Sequence, residues 1–464
     1  MTSYPEIPAV VTHALDQLTA TLAERMRGRP TDDLDVFERE LSESLSEVGR
    51  VVVGAELERL DPRGEDVKVD GTRRWQAVRS SSRYMTMFGP VSVTRGLYRQ
   101  IRNGPTCCPM ALRAGIVDGF WTPRAAKLAA LAVTDMTPVR ANRFFTELGG
   151  MAPSDSSLDR LPKRLSARWE AQRRRFDARL RAAERVPEEA VTVAVSLDGV
   201  LAPIRGPGKA EMKAEMRSQG RPDKGPAGYR EVGCGSLSLY DAEGQRLLTR
   251  RMGRMPESGK TTLKDMIRVE LDHMLKQRPD LRVVVVADGA PDNWTFLESL
   301  PHHESVLDFY HAVEHLKRAL DTTLGASSIE TRHRFEKLRI VLRDRPGGAE
   351  AVYQELQRLP RPKGNKTRKY RTGIGYFRRH RHRMNYAELQ ERNMPIGSGV
   401  IEGTCKSLVS DRMKRAGMRW DEAGGQAILT LRAQTQSDRF GRAFRMLVET
   451  YRQDQVSPDC REAA

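Results

Sequence analysis

The stretch that decides the fold reads Val283–Val284–Val285–Val286–Ala287–Asp288–Gly289–Ala290. Four β-branched residues in a row that run into an acid and a glycine predict a strand buried on both faces. Asp288 then lies at the carboxyl end of that strand, the edge at which α/β sheets bind their ligands. Asp288 is therefore either a turn residue or a metal-binding carboxylate, and the rest of the sequence must decide between the two.

The region around this strand, residues 190–322, predicts three strands, a helix, a strand, a helix, a strand and a final helix. The first strand, Val191–Leu197, ends in Asp198–Gly199, and a loop rich in Gly, Pro and Lys (Arg205–Arg230) follows it. The remaining predicted strands are Glu231–Tyr240, Gln245–Met252, the strand that ends at Asp288, and Ser305–Leu307; the helices are Glu257–Gln277, Asp292–Leu300 and Phe309–Leu320. Alternation of this kind is typical of α/β domains.

Composition bounds the class of protein. A chain of 464 residues should hold about two to four domains. The net charge of +17 indicates a polyanionic partner, most commonly nucleic acid, and the alternative is a basic surface without one. The sequence contains no apolar run of about 18 residues and no basic-then-apolar N-terminus, so we expect neither a membrane span nor a secretory signal. Five irregularly spaced cysteines fit a reducing cytoplasm.

The sequence of residues 1–185 predicts three regions, of which the third is residues 125–185. Residues 1–62 form two amphipathic helices, because apolar residues recur at three- and four-residue spacing. Residues 63–124 contain a β-hairpin that turns at Gly89–Pro90 and then a linker, in which Cys107–Cys108 cannot complete a zinc site locally.

Residues 125–185 predict helix, glycine turn and capped helix, the layout of a helix-turn-helix that binds DNA. The candidate phosphate-binding or base-reading side chains on its second helix are Arg160, Lys163, Arg164 and Arg168. Pro162 should kink that helix, and the alternative is a plain helical linker.

The C-terminal part predicts helices with a strong basic excess. Residues 323–395 form a helical block in which Tyr370, Tyr376 and Phe377 lie among basic residues, either to stack on bases or simply as part of a solvated helical face. Residues 396–453 add further helices, and 454–464 form a disordered tail. The candidate DNA-binding side chains of these regions are Lys366, Arg368, Lys369, Arg378, Arg379, Arg381, Lys406, Lys414 and Arg415.

Three acids lie at positions where active-site residues are common: Asp198 after the first strand, Asp288 after the fourth, and Glu402 on a late helix. If the first and fourth strands are neighbours, as in a ribonuclease-H-like sheet, the two aspartates lie side by side and a late helix can add the glutamate. Converging carboxylates repel one another unless cations neutralise them, and oxygen ligands favour Mg²⁺, with Mn²⁺ as a substitute. Two such ions would support in-line phosphoryl displacement.

The sequence resembles the DDE transposases of bacterial insertion sequences, and within them the Kra-type group related to Mutator-like and hAT enzymes. The resemblance spans roughly residues 84–435 and is carried by Ser196–Val200, Ala287–Ala290, Asp308–Leu316, Gly397–Gly403 and Arg412–Trp420. It implies a ribonuclease-H-like catalytic domain in two parts, 190–322 and 396–453, interrupted by the all-helical insertion 323–395. It also implies that Asp198, Asp288 and Glu402 are catalytic metal ligands and that His311, in the D-x-x-H motif with Asp308, supports the active site.

The function implied by this resemblance is Mg²⁺-dependent cleavage at the ends of a mobile element and joining of the freed 3′-hydroxyl to target DNA. Such enzymes act as dimers or larger assemblies on double-stranded DNA, here on the bacterial nucleoid. Two alternatives stay open: a structure-specific nuclease of the junction-resolvase kind on the same fold, and a DNA-binding repressor that has lost its chemistry.

Three residues and one loop also have interpretations that involve no catalysis or DNA binding. His311 and His315 could be ordinary residues of an amphipathic helix, and Trp294 could be a core residue and not a platform for a flipped base. The stretch from Gly253 to Thr261 resembles a phosphate-binding P-loop, but its first glycine is one residue too early, so we do not predict an ATPase.

Overall fold

The protein is mixed α/β and divides into two compact units, Met1–Phe176 with Phe440–Ala464, and Asp177–Arg439. The computed structural model describes residues 9–27, 33–62, 64–205, 228–326, 328–362, 364, 366–452 and 457–458. Within these residues each unit contains one five-stranded sheet with helices packed against it.

In the first unit two long helices lead into an antiparallel sheet. The elements are α1 (Ala9–Arg27), α2 (Leu34–Leu60), β1 (Asp66–Val69), β2 (Thr72–Thr86), β3 (Gly89–Arg99), β4 (Thr106–Cys107) and α3 (Pro109–Ala114). Asp33 caps α2 by accepting a hydrogen bond from the Val36 amide. Leu57 of α2 packs with Tyr84 and Val93 of the hairpin, so apolar burial fixes α2 on the sheet. The two helices predicted for residues 1–62 are therefore present.

The hairpin turn is one step earlier than the sequence predicts. Thr86 pairs with Gly89, so Met87 and Phe88 form the turn and Gly89–Pro90 begin β3. Gly89 has φ of 112°, which only glycine adopts easily. The Thr86 hydroxyl closes the turn by donating to the Gly89 carbonyl at 2.7 Å. The prediction missed β1 and β4, which widen the hairpin into a sheet.

Four helices follow: α4 (Pro123–Asp135), α5 (Pro138–Leu148), α6 (Asp155–Ala171) and α7 (Arg173–Ala182). Ser154 caps α6 by accepting from the Ser157 amide. The helix continues through Pro162 as one element, and Pro162 is buried together with Leu161 and Leu165. Residues 125–185 are thus mostly helical, and both the helix-turn-helix arrangement and its contact with DNA stay predictions.

The sheet of the second unit is mixed and matches the predicted order of strands and helices. Its elements are β5 (Thr192–Pro203), β6 (Tyr229–Tyr240), β7 (Arg246–Arg254), α8 (Thr261–Gln277), β8 (Arg282–Ala287), α9 (Pro291–Leu297), β9 (Glu304–Leu307) and α10 (Phe309–Leu324). The spatial order is β7-β6-β5-β8-β9, in which β5, β8 and β9 run parallel and β6 and β7 antiparallel. Residues 206–227 of the predicted Arg205–Arg230 loop lie outside the described residues.

Strand β5 is longer than predicted. The sequence ends it at Leu197, whereas the structure continues it to Pro203, so Asp198 lies inside the strand. The reason is that the two neighbours of β5 differ in length. Parallel pairing with β8 reaches Val195, while antiparallel pairing with β6 continues to Pro203.

The basic block after α10 is helical, as predicted, and comprises α11 (Ile329–Asp344), α12 (Gly348–Arg358), α13 (Lys366–His380) and α14 (Tyr386–Glu391). Its apolar side chains belong to the same core as the valines of β8. Tyr370, Tyr376 and Phe377 are 5%, 6% and 0% exposed, so the base-stacking interpretation of these rings is wrong. They lie on the inward stripe of α13, and the arginines occupy the outward face.

The remaining elements are α15 (Gly399–Thr404), a π-helical segment (Cys405–Ser410), α16 (Asp411–Met413), α17 (Glu422–Gln436), α18 (Phe440–Glu449) and β10 (Ser457–Pro458). In the first unit β10 pairs with β1, so two residues of the predicted disordered tail belong to a sheet, and the rest of 454–464 lies outside the described residues. Among the described helices, none combines the length and apolar character that a bilayer crossing requires.

Candidate active site

Three aspartates share one level at the carboxyl edge of the second sheet. Strand β5 pairs with β8 at an offset of 90 residues, since Val193 faces Val283 and Val195 faces Val285. The same offset separates Asp198 from Asp288. Strand β8 pairs with β9 at an offset of 20 residues, because Ala287 faces Leu307, and this offset brings Asp308 level with Asp288. The Asp308 amide donates to the Ala287 carbonyl at 2.9 Å, and the charge of Asp288 acts on Asp198 although the pairing of β5 with β8 ends at Val195 and Val285.

Asp198 is half-buried and close to other polar groups. Burial raises the pKa of its carboxyl group, the Gly199 amide opposes this, and the charge of Asp288 raises the pKa further. Lys260, at the start of α8, lowers it again, and the Cys405 thiol lies 3.7 Å from Oδ2. Asp198 therefore experiences the negative charge of Asp288 with only partial compensation.

Asp288 is held by its own loop. Its Oδ1 accepts a hydrogen bond from the Ala290 amide at 3.1 Å, and its carbonyl accepts one from Trp294 Nε1 at 2.5 Å. Trp294 is only 3% exposed, and the Arg383 guanidinium lies 4.1 Å from the centre of its ring. This burial agrees with the core interpretation of Trp294 and contradicts the idea of a base-stacking platform. The indole instead fixes the turn that follows β8.

Asp308 and His311 form the N-terminus of α10. The Asp308 carboxylate is fully buried and caps the helix by accepting from the His311 amide at 2.6 Å, while His311 Nδ1 lies 3.0 Å from the same oxygen. Its other oxygen accepts from the Ser398 amide. Burial alone would raise the pKa of Asp308, but these hydrogen bonds outweigh it and lower the pKa.

Glu402 reaches the same place from α15. Its Oε1 accepts from the Ser398 hydroxyl at 2.8 Å and lies 4.0 Å from His311 Nδ1. The hydrogen bond with Asp308 raises the pKa of His311 to about 9 against the effect of burial, and the charges of Asp308, Asp288 and Glu402 add to it. In the metal-free protein at neutral pH His311 is therefore an imidazolium, a cation that partly neutralises the surrounding carboxylates.

The most compact metal-compatible group among the described residues is Asp308, His311 and Glu402, whose ligand atoms lie within 4.8 Å of one another. The predicted ligands Asp198, Asp288 and Glu402 do not approach one another so closely. The Glu402 side chain is 51% exposed and is turned toward Ser398 and His311. The two predicted aspartates thus lie level in the sheet, and the predicted glutamate joins them through Asp308 and His311.

Sequence reasoning named Asp308 only as the partner of His311 in the D-x-x-H motif, and it did not predict the contacts of Lys260, Cys405 and Ser398. Asp308 precedes a helix, which is the pattern of an N-cap, but only the strand register indicates that it joins the acidic row. Lys260 lies in the stretch considered as a P-loop, and it contacts Glu231 at 2.7 Å. Cys405 and Ser398 carry no local signal, because their roles depend on how α15 and the π-helical segment approach β5 and α10.

In the first unit, the four basic residues predicted to bind DNA on α6 all have intramolecular partners. The contacts are Arg160 to Asp118 (3.0 Å), Arg164 to Asp118 (3.5 Å), Lys163 to Asp159 (2.7 Å), and Arg168 to the Thr450 carbonyl (2.7 Å) and the Tyr451 ring (3.8 Å). Exposed ion pairs of this kind are weak, so a phosphate can displace them, but Arg168 is half-buried and serves packing.

In the second unit most of the predicted basic residues are exposed. Arg368, Lys369, Arg378, Lys406 and Lys414 project into solvent and form no ion pair within the described part of the chain. Three others are engaged: Arg379 with the Gly375 carbonyl (3.3 Å), Arg381 with Glu350 (2.9 Å) and Arg415 with the Asp411 carbonyl (2.7 Å). The side chain of Lys366 lies outside the described residues.

The sequence matches no protein-family model. It also matches no curated protein. Among solved structures it is similar to a Drosophila P element transposase strand transfer complex, with 11% sequence identity, 72% of this chain and 84% of that chain covered, and a TM-score of 0.26. A TM-score this low supports no conclusion about fold or function, so the functional assignment depends on the geometry of the site.

Proposed function

We propose that this protein is a DDE-type DNA transposase that cuts DNA at the ends of a mobile element and joins the 3′-hydroxyl to target DNA. The observations that support the proposal are the 90-residue offset of the parallel β5–β8 pairing, which also separates Asp198 from Asp288, and the effect of the Asp288 charge on the Asp198 carboxyl group. The strand order β7-β6-β5-β8-β9 supports a ribonuclease-H-like core, with residues 323–395 as its helical insertion. A protein that only binds DNA would gain nothing from aligned carboxylates that repel one another.

The donor set fits a hard divalent cation. The acidic row offers carboxylate oxygens, which Mg²⁺ and Mn²⁺ prefer, and the pKa of Asp198 is raised first by burial and then by the charge of Asp288. Asp198, Asp288 and Glu402 would hold the metal, and the metal would stabilise negative charge that develops on the phosphate.

The chain's own residues account for the other requirements. The His311 imidazolium and Asp308 orient Glu402 through Ser398, because all four groups are joined by short contacts. The exposed cations Arg368, Lys369, Arg378, Lys406 and Lys414 contribute contacts to the DNA backbone. Action on two element ends calls for a dimer or a larger assembly on double-stranded DNA.

The test is cleavage and joining of DNA that flanks the gene, with purified protein and MgCl₂. We expect nicked and joined products in the wild type, and a loss of about a thousandfold in both for Asp288→Asn, because metal-ion catalysis contributes several kcal/mol. Asp292→Asn is the matched control, since Asp292 is an exposed acid on α9 only four residues away. It should leave both rates unchanged.

Each alternative predicts a different result. Cleavage without a joined product would favour a structure-specific nuclease. DNA binding by the wild type without any Mg²⁺-dependent cleavage would favour a repressor. Equal rates for Asp288→Asn and wild type would refute the assigned site.

A further inference from the structure

The hydroxyl group of Tyr376 is a buried donor without a partner. Tyr376 lies on α13 and is 6% exposed, and its hydroxyl oxygen has no hydrogen-bond partner among the described residues. Folded proteins satisfy nearly all such groups, because a buried, unpaired hydroxyl loses its hydrogen bonds to water and gains nothing in return. The unpaired Tyr376 hydroxyl therefore calls for an explanation.

Packing directs this ring at the loop that carries Asp288. A Cβ atom at Gly289 would lie 2.5 Å from the Tyr376 ring and 3.2 Å from its hydroxyl oxygen. His315 of α10 stacks on the other side, with 3.7 Å between ring centres and 9° between planes. Helices α10 and α13 approach closely because Gly373 faces Ala319. The ring is thus fixed against the backbone that follows β8.

The candidate acceptors reduce to one. Besides burial, the charges of Asp288, Asp308 and Glu314 raise the pKa of Tyr376, so these three carboxylates are the candidate acceptors. Asp308 already accepts three hydrogen bonds, and Glu314 pairs with Arg318 at 2.8 Å. Asp288 accepts one, from the Ala290 amide to Oδ1. Its second oxygen remains for a partner.

We propose that Tyr376 is a positioning residue for Asp288, whose carboxylate accepts a hydrogen bond from the Tyr376 hydroxyl when the acidic site holds a divalent cation. This inference rests on the proposed function insofar as that function requires the cation. Carboxylates that bind metals are oriented by hydrogen bonds from a second layer of residues, and loss of such a partner weakens metal affinity about 10- to 100-fold. The helical insertion thereby supports the metal site through Tyr376.

The experiment compares Tyr376→Phe with Tyr370→Phe. Both tyrosines lie on α13 and are buried, but the Tyr370 hydroxyl already donates to the Leu356 carbonyl at 3.1 Å. In EDTA we expect Tyr376→Phe to unfold at or above the wild-type temperature and Tyr370→Phe to unfold below it. In calorimetric titrations with Mn²⁺ we expect about 10- to 100-fold weaker binding for Tyr376→Phe and wild-type binding for Tyr370→Phe.

A further readout separates positioning from folding. DNA cleavage by Tyr376→Phe should need a higher Mg²⁺ concentration and recover at saturation. Wild-type Mn²⁺ affinity in Tyr376→Phe, or a fall in its unfolding temperature as large as that of Tyr370→Phe, would overturn the inference. Absence of Mn²⁺ binding by the wild type would also overturn it. If the wild type binds Mn²⁺ but does not cut DNA, the proposed function fails, and the ratio of Mn²⁺ affinities still decides the role of Tyr376.

Discussion

Replacing His311 by Gln in the metal-free protein removes the positive charge that lies among the acids of the site. A pKa raised from 6.5 to about 9 corresponds to about 3 kcal/mol of favourable interaction, at 1.36 kcal/mol for each tenfold change. The imidazole is 40% exposed, so solvent screening reduces this contribution to about 1–2 kcal/mol. His311→Gln should destabilise the protein by that amount at pH 6.

The pH dependence has a definite sign. The pKa of His311 is higher in the folded protein than in the unfolded chain, so the stabilisation is complete below about pH 6.5 and disappears as the pH rises through about 9. The difference in stability between wild type and His311→Gln should therefore be largest near pH 6 and close to zero at pH 10.

Amide hydrogen exchange in EDTA measures this difference in stability between wild type and His311→Gln. Peptides from α10 are the ones to compare, because His311 lies in the first turn of that helix. Wild type and variant are compared at the same pH, so the intrinsic dependence of exchange on pH cancels. His333→Gln is the control, because His333 is an exposed histidine on the neighbouring α11. A difference that stays constant from pH 6 to pH 10, or faster exchange in the wild type, would refute the ion-pair reasoning.

Two further substitutions test the scaffold around the site. Arg439→Met should destabilise the protein by about 3–5 kcal/mol in urea unfolding, because it leaves Glu184 and Glu270 buried without their main partner; a loss below about 1 kcal/mol would contradict this. Gly289→Ala should cost about 1–3 kcal/mol and slow DNA cleavage, because the new methyl group collides with the tyrosine ring that Gly289 faces. Gly375→Ala is its control, since nothing lies within 4 Å of a Cβ at Gly375. Alanine at this position should stabilise α13 by about 0.5–1 kcal/mol. Equal changes in stability for the two variants would contradict the predicted collision.

The sheet of the second unit was predictable because local patterns define it. Runs of β-branched residues mark β5 and β8, and acids follow them where strands meet ligands. The burial of Tyr370 and Phe377, with the partly buried Ile374 between them, was also predictable, since their spacing of four and three residues is that of one helix face. The surrounding arginines drew the interpretation toward base stacking, although they occupy the opposite face of α13.

Other features depend on contacts that no local pattern contains. The extension of β5 past Asp198 follows from the length of β6, and the orientation of Glu402 follows from Ser398 and His311. The π-helical segment Cys405–Ser410, which brings the Cys405 thiol toward Asp198, has no signature in its composition. These features come from tertiary packing, so local propensities do not reveal them.

The register of the parallel strands explains why three distant aspartates form one row. Because pairing in a parallel ladder advances one residue at a time on both strands, the offsets of 90 and 20 residues that the paired residues define also separate the acids that follow them. A slip of one residue would turn Asp288 to the other face of the sheet. The burial of the β8 valines therefore also fixes the strand register on which the relative positions of Asp198, Asp288 and Asp308 depend. Tyr376 of α13 packs against the loop directly after these valines. The helical block between Asp308 and Glu402 in the sequence therefore also supports the loop that carries Asp288.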